Sequence, residues 1–93
     1  MALKLEYGQW IMTRGINNEV ADDATFAEEI MRAIKRYVRR DWGELDVEDC
    51  ETNKQAIRCG ERVFARYETT KGTVYIITER DRSYTTILFA DEY

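Results

Sequence analysis

The chain has 93 residues and a mass of 11.0 kDa, which is enough for one small domain and too little for two hydrophobic cores. Its 18 acidic and 14 basic residues give a formal net charge of −4, and 44% of its residues are hydrophobic, which is typical of a globular protein. The absence of His excludes Ser-His-Asp and Cys-His catalytic sites and His-based metal sites. Two Cys are too few for a disulfide scaffold or an all-cysteine zinc site. Residues 1–93 are therefore expected to form a single domain.

The N-terminal segment lacks the features of an export signal. Residues 1–7 include the acidic Glu6 and contain no apolar core of the kind that a secretory signal peptide requires. The longest uncharged run, Ser83 to Ala90, is far shorter than the ~20 residues that span a bilayer. We expect a cytoplasmic protein with no membrane partner.

The first part of the chain predicts a strand and then a long helix. Gln9 to Thr13 is a short apolar stretch that ends before a glycine and a polar turn, while residues 19–23 are compatible with a single helical turn. The long helix runs from Phe26 to about Arg40, and Thr25 with Glu28 fits the capping box that begins many helices. Its apolar residues recur with the helical period and fall on one face: Phe26, Ala27, Ile30, Ile34, Tyr37 and Val38.

A second helix is expected from Val47 to about Cys59. Asp46 is placed to cap its beginning, and Gly60 can adopt the left-handed conformation that ends it. Its apolar residues are few, namely Val47, Cys50 and Ile57 with Ala56 as a weaker member. The sequence therefore predicts a helix that lies at the surface.

The last third of the chain changes to the alternation of a β-sheet. Arg62 to Glu68, Thr73 to Thr78 and Ser83 to Phe89 are three strands that polar turns separate, and the middle one is apolar on both faces, as a central strand should be. The predicted fold class is α+β, in the order β-α-α-β-β-β. Its sheet is an antiparallel one of three to four strands, with one long amphipathic helix packed on one face.

An acidic stretch follows the long helix and contains no base. Its carboxylates belong to Asp41, Glu44, Asp46, Glu48, Asp49 and Glu51. They indicate stabilisation of the second helix through its dipole, a surface that imitates nucleic-acid phosphates or binds a basic protein, or a site for a hard cation. Trp42, which lies within this stretch, is either an anchor for a partner or a filler of the seam between helix and sheet.

The outer face of the long helix is basic. Five bases lie opposite its apolar stripe: Arg32, Lys35, Arg36, Arg39 and Arg40. Such a face is either solvated and balanced by neighbouring acids or able to dock phosphates. The net charge of −4 argues against general nucleic-acid binding, because neutralisation of the phosphate backbone drives that affinity.

No catalytic, metal or cofactor site is predicted. The turns around Arg14 and around Asp81 and Arg82 could line a polar pocket, although turn chemistry and strand-end hydrogen bonds explain these residues more simply. Neither a glycine-rich nucleotide-binding loop nor the carboxylate spacing of an EF-hand occurs. We expect a protein that is not an enzyme and that needs no metal or cofactor.

Three segments together resemble a family of small "plasmid-related" proteins carried by bacterial plasmids, integrative elements and prophages. They are residues 8–15 (GQWIMTRG), 41–45 (DWGEL) and 76–93 (IITERDRSYTTILFADEY). The resemblance spans nearly the whole chain and implies a mobile-element context, in which small acidic proteins often block host defence complexes of the CRISPR or the restriction type.

These observations lead to three hypotheses about function. The first is a non-enzymatic inhibitor that binds a host defence complex, an RNA-guided nuclease or a restriction complex, through the acidic stretch with Trp42 as its anchor. The second is a nucleic-acid-associated plasmid maintenance protein that uses the basic helix face. The third is a homodimer, because a sheet with helices on one face leaves its other face free for pairing.

Overall fold

The structure, a computed structural model, describes residues 5–93 and contains four strands and three helices in α+β arrangement. The strands are β1 (Gln9–Met12), β2 (Val63–Thr69), β3 (Gly72–Thr78) and β4 (Tyr84–Phe89). The helices are α1 (Arg14–Asp22), α2 (Ala24–Val38) and α3 (Val47–Cys59), and a 3-10 turn (Ala90–Glu92) follows β4. The predicted class and all four predicted strands are confirmed. No helix in this part of the chain combines the length and apolar character needed to cross a bilayer.

The sheet is mixed, with the strand order β1-β4-β3-β2. Strands β2, β3 and β4 form the expected antiparallel meander, whereas β1 runs parallel to β4, with Gln9 opposite Tyr84 and Met12 opposite Ile87. The prediction of a purely antiparallel sheet is therefore wrong at this edge. Tight turns force consecutive strands to run antiparallel. Because β1 and β4 are separated by most of the chain, no turn sets their relative direction.

Three helices, and not a single long one, make up the helical part of the fold. Helix α1 covers residues 14–22, where the sequence predicts a polar turn and one helical turn. Thr13 begins it, since its side-chain oxygen accepts a hydrogen bond from the Ile16 amide at 3.3 Å. Ile16 is fully buried, so packing against the core stabilises a helix that its polar sequence alone does not indicate.

Helix α2 begins two residues earlier than the capping box predicts. The N-cap is Asp23, whose carboxylate accepts hydrogen bonds from the amides of Thr25 and Phe26 at 2.9 and 3.2 Å. The capping box at Thr25 is therefore wrong, because an acid two residues upstream already satisfies these amides. The helix ends at Val38, and Arg40 follows in the left-handed conformation with φ of 63°.

Helix α3 has the predicted bounds and caps. Asp46 accepts a hydrogen bond from the Asp49 amide at 2.8 Å, and Gly60 ends the helix with φ of 72°. Of the residues in this helix, Asn53 and Ala56 are buried, which confirms its expected place at the surface.

Two neighbouring segments close the outer edge of β2. The Asn53 side chain donates a hydrogen bond to the Phe64 carbonyl at 2.7 Å and accepts one from the Phe64 amide at 3.2 Å. Residues 42–44 pair with the next outward-facing residue: the Arg66 amide donates to the Trp42 carbonyl, and the Glu44 amide donates to the Arg66 carbonyl. Helix α3 and the α2–α3 connection thus take the place of a fifth strand.

The core lies between the helices and one face of the sheet. Its members from α2 are Phe26, Ile30, Ala33 and Tyr37, and its members from the sheet are Val63, Ala65, Tyr67, Val74, Ile76 and Ile87. A chain of hydroxyl groups crosses it. The Tyr37 hydroxyl lies 2.7 Å from the Thr78 hydroxyl, which lies 2.9 Å from that of Thr85. Thr85 in turn donates to the Tyr7 carbonyl at 2.6 Å.

Replacement of Asn53 by Ala tests the closure of this edge. We expect Asn53→Ala to lower the free energy of unfolding by about 2–3 kcal/mol, because it leaves both backbone groups of Phe64 without their partners. Urea denaturation followed by circular dichroism measures the change. Gln55→Ala, at an exposed position of the same helix, is the matched control and should stay within about 0.5 kcal/mol of wild type. Equal stability of the two variants would contradict the assignment.

Candidate functional site

The predicted acidic stretch forms an exposed surface on the α2–α3 connection and the first half of α3. We call it the acidic segment, and its members are Asp41, Glu44, Asp46, Glu48, Asp49 and Glu51, all of which are exposed. Within residues 5–93, the carboxylates of Glu44, Glu48 and Asp49 have neither an ion pair nor a hydrogen bond. These three groups are therefore available to a partner.

The other carboxylates of the acidic segment have structural roles. Asp46 caps α3, and Glu51 lies 3.1 Å from the Lys54 ammonium. Asp41 accepts two hydrogen bonds from Arg36, at 2.8 Å from Nε and 3.1 Å from Nη2. These hydrogen bonds hold the pKa of Asp41 below its ordinary value.

Trp42 packs inside the protein and cannot serve as an exposed anchor. Its side chain is 6% exposed, and its ring meets the Tyr37 ring edge-on with centroids 5.3 Å apart. Of the two roles that the sequence leaves open, the structure supports the filling of the seam between helix and sheet. The expectation of a Trp42 anchor is therefore wrong.

Val47 is the exposed apolar side chain of this surface. It is 78% exposed, although the sequence assigns it to the apolar set of α3. It directly follows the Asp46 cap, in the first turn of α3. The low amphipathicity of this helix was the available sign that its apolar residues do not share one buried face.

The start of the acidic segment is held rigidly against the sheet. Gly43 has φ of 73° and forms a bridge with Arg66. A Cβ at this position would collide with the Arg66 carbonyl, so only glycine permits the approach. The Tyr67 hydroxyl adds a hydrogen bond to the Asp41 carbonyl at 2.7 Å. The backbone that carries Glu44 is thus fixed before any partner binds.

The predicted basic face of α2 consists of bases that have partners in the structure and bases that form no ion pair within residues 5–93. Arg36 is bonded to Asp41 and its guanidinium lies 5.2 Å from the centre of the Tyr67 ring. Arg40 lies beyond the end of the helix and also has a partner. The bases that remain exposed and form no ion pair within residues 5–93 are Arg32, Lys35 and Arg39, and the exposed Met31 and Val38 lie on the same helix. We call these three bases the basic face from here on.

Of the predicted turn residues, Asp81 and Arg82 are bonded within the fold. Arg82 donates hydrogen bonds to the carbonyls of Glu61, Glu79 and Ala56 at 2.6, 3.0 and 3.1 Å, which joins the end of α3 to the β3–β4 turn. Asp81 accepts hydrogen bonds from the amide and hydroxyl of Ser83. These contacts support the role of Asp81 and Arg82 in turn structure.

The uncovered face of the sheet holds a shallow apolar hollow. It has a volume of about 240 Å³ and is lined by Arg62, Phe64, Tyr75, Ile77 and Tyr93. Tyr93 folds back over this face and meets Tyr75 edge-on. In the described part of the chain, no three acidic or cysteine side chains are grouped closely enough to hold a metal ion.

Acid titration tests the bond between Arg36 and Asp41. Because the pKa of Asp41 is lowered in the folded state, its contribution to stability is present above the unfolded pKa and is lost as the pH falls through the folded pKa. We expect Arg36→Met, which keeps an unbranched side chain but removes the guanidinium that bonds Asp41, to raise the pKa of Asp41 toward its ordinary value. Titration of the carboxyl chemical shifts measures the pKa of Asp41 in both proteins.

Asp81 is the control for this titration. Its lowered pKa comes from the hydrogen bonds of Ser83 and should be the same in both proteins. If the pKa of Asp41 were unchanged in Arg36→Met while that of Asp81 also stayed constant, the role given to Arg36 would be refuted.

Two charged surfaces remain after the locally bonded residues are set aside. One is the part of the acidic segment formed by Glu44, Glu48 and Asp49 beside the exposed Val47, and the other is the basic face of α2. Both consist of side chains on rigid backbone and neither surrounds a closed cavity. Comparisons of the chain with protein-family models, with curated proteins and with solved structures find no match.

Proposed function

We propose that this chain is a non-enzymatic accessory protein of a mobile genetic element that binds and inhibits a host defence nuclease complex. In this proposal the acidic segment occupies the nucleic-acid-binding surface of an RNA-guided nuclease or a restriction complex. The observation that carries it is the group of exposed carboxylates of Glu44, Glu48 and Asp49, which form no ion pair or hydrogen bond within residues 5–93.

The arrangement of these carboxylates complements a partner surface that binds the phosphates of nucleic acid. They lie on backbone that Gly43, Arg66 and the Asp46 cap hold in place, so little backbone conformational entropy is lost when a partner binds. The exposed Val47 between Asp46 and Glu48 adds apolar area in the middle of the charges. A group of exposed negative charges with an apolar side chain beside it complements a groove lined by Lys and Arg.

The choice of partner class comes from the sequence. The segments 8–15, 41–45 and 76–93 resemble plasmid-related proteins, and the second of these segments contains the start of the acidic segment. A nuclease that recognises nucleic acid presents a basic groove to it, which is the electrostatic complement of this surface. Cytoplasmic location in a bacterial host belongs to the same proposal.

Neutralisation of the three available carboxylates tests the proposal. We expect Glu44→Gln, Glu48→Gln and Asp49→Asn together to weaken binding by about tenfold or more, since each exposed ion pair contributes only ~0–1 kcal/mol and single changes can be silent. The probe is a panel of purified RNA-guided nucleases and restriction complexes. Retention of the protein on each complex and inhibition of target-DNA binding are measured by filter binding.

A matched control removes the same charge elsewhere. Asp22→Asn, Glu28→Gln and Asp91→Asn neutralise three exposed carboxylates outside the acidic segment, and this variant should bind like wild type. The proposal fails if no complex in the panel is retained or inhibited. It fails equally if both triple variants bind as tightly as wild type, because the carboxylates would then have no part in recognition.

A second candidate function is nucleic-acid binding through the basic face. The exposed Arg32, Lys35 and Arg39, which form no ion pair with residues 5–93, favour it as the mode of a plasmid maintenance protein. The five-residue face predicted from the sequence is reduced by two, because Arg36 and Arg40 have other partners. The smaller face and the net charge of −4 make this candidate the weaker one.

Salt titration distinguishes this candidate. If the basic face binds a DNA duplex, replacement of Arg32, Lys35 and Arg39 by Gln should reduce the slope of log K against log salt by about 0.9 per lost phosphate contact. Fluorescence anisotropy with a labelled duplex measures the slope. The control variant replaces Lys54, Arg58 and Arg80, which are exposed bases outside α2. Its slope of log K against log salt should equal that of wild type. A flat titration at low salt removes the candidate.

A further inference from the structure

We propose that the chain forms a twofold-symmetric dimer in which β1 pairs antiparallel with β1 of a second copy. The two sheets then join into one sheet of eight strands. This inference is independent of the proposed inhibitory function, because it concerns the opposite edge of the sheet from the acidic segment.

The outer edge of β1 presents unsatisfied backbone groups. The amides of Gln9 and Thr13 donate to the carbonyls of Ser83 and Ile87, at 3.0 and 3.1 Å, so the odd-numbered residues face β4. Strand geometry then directs the N–H and C=O groups of Trp10 and Met12 away from the sheet. No residue between 5 and 93 forms a hydrogen bond with these four groups. The edge is therefore ready to pair with another strand.

The two edges of the sheet differ in how they are protected. The edge at β2 is closed by Asn53 and by residues 42–44, as described above. The segment 7–13 around β1 contains no charged residue and no proline, which are two of the usual means of preventing strand pairing at an exposed edge. An unprotected edge on one side of an otherwise closed sheet indicates an interaction surface.

Exposed apolar side chains extend this surface beyond the backbone. Trp10, Ile11 and Met12 are 37%, 38% and 40% exposed, and Tyr84, opposite Gln9 on β4, is 39% exposed. Pairing of four-residue strands alone is weak. The apolar area of these side chains adds the hydrophobic contribution that a stable interface needs.

The distribution of charge favours a second copy as the partner. Glu6 precedes β1 and Arg14 follows it, at similar distances from Trp10 along the chain. Antiparallel pairing with Trp10 opposite Trp10 brings Glu6 of each copy toward Arg14 of the other. No charge lies between them, so the contact does not bring like charges together.

The position of the acidic segment also permits this pairing. The strand order is β1-β4-β3-β2, and α3 packs beside β2 at the far edge. A dimer through β1 therefore places the two acidic segments at opposite ends of the joined sheet. Their mutual repulsion is small at such a separation, despite the net charge of −4 on each chain.

Sedimentation velocity combined with hydrogen exchange tests the dimer. We expect a dimer to form as the concentration of the full chain rises from micromolar to millimolar. Over the same range the amides of Trp10 and Met12 should become protected, whereas the Ile11 amide, which faces β4, should be protected throughout. A monomer at millimolar concentration overturns the proposal, and so does a dimer in which the Trp10 and Met12 amides exchange as fast as in the monomer.

Variants test the orientation of the pair. Ile11→Lys should weaken dimerisation about tenfold or more, and Met31→Lys, the same type of change on α2, should not. Arg14→Glu should also weaken it, and addition of Glu6→Arg should restore it by exchanging the two charges. Circular dichroism verifies that each variant is folded. Failure of the double exchange to restore dimerisation overturns the antiparallel arrangement.

Discussion

The buried hydroxyl of Tyr37 is the point at which the helices, the sheet and the N-terminal segment are joined. It cannot reach water, so the fold must supply its hydrogen bonds, and it does so through Thr78 of β3 and the Val63 carbonyl of β2. Thr78 continues the chain to Thr85 of β4, and from there to the Tyr7 carbonyl. Burial raises the pKa of Tyr37, which keeps the hydroxyl protonated.

This chain of hydroxyls specifies the arrangement of the core as well as its stability. A shift of β3 by one residue would turn Thr78 to the other face and remove one of the two partners of the Tyr37 hydroxyl, and the same shift of β4 would remove Thr85 from Thr78. The Tyr37 ring also meets the rings of Tyr7, Trp10 and Trp42, with centroids 5.9, 6.1 and 5.3 Å apart. Trp42 thus packs in the core against Tyr37, a residue that the helical pattern of α2 already assigns to the core.

The sequence determines local features well and long-range relations poorly. The strands β2 to β4 follow from alternation and turn residues, and α3 follows from Asp46 and Gly60, because each of these signals lies within a few residues of the structure it specifies. Helix α1 was missed because a buried Ile16 stabilises it, and the direction of β1 was missed because its partner lies more than seventy residues away. The N-cap of α2 was misplaced because Asp23 and Thr25 both fit capping patterns.

The candidate site shows the same difference between local features, which the sequence reveals, and long-range relations, which it does not. The composition of the acidic stretch and of the basic helix is visible in the sequence, but the pairing of Arg36 with Asp41 is set by how α2 ends. That pairing removes the charge of Arg36 from the basic surface and the charge of Asp41 from the acidic surface. It thereby separates the two surfaces. Exposed charges on rigid backbone suit recognition by long-range electrostatic attraction, which accelerates encounter with an oppositely charged groove.

The parallel pairing of β1 with β4 has a consequence for how the chain folds. The meander of β2, β3 and β4 closes through short turns, whereas β1 can find β4 only after the chain between Met12 and Tyr84 has been brought together. Closure of so long a loop costs entropy before the contacts between β1 and β4 can offset it. Docking of β1 is therefore expected to be among the last steps of folding. Its opening would also be among the first steps of unfolding, so that the edge strand acts as a cooperative unit of lower stability than the meander.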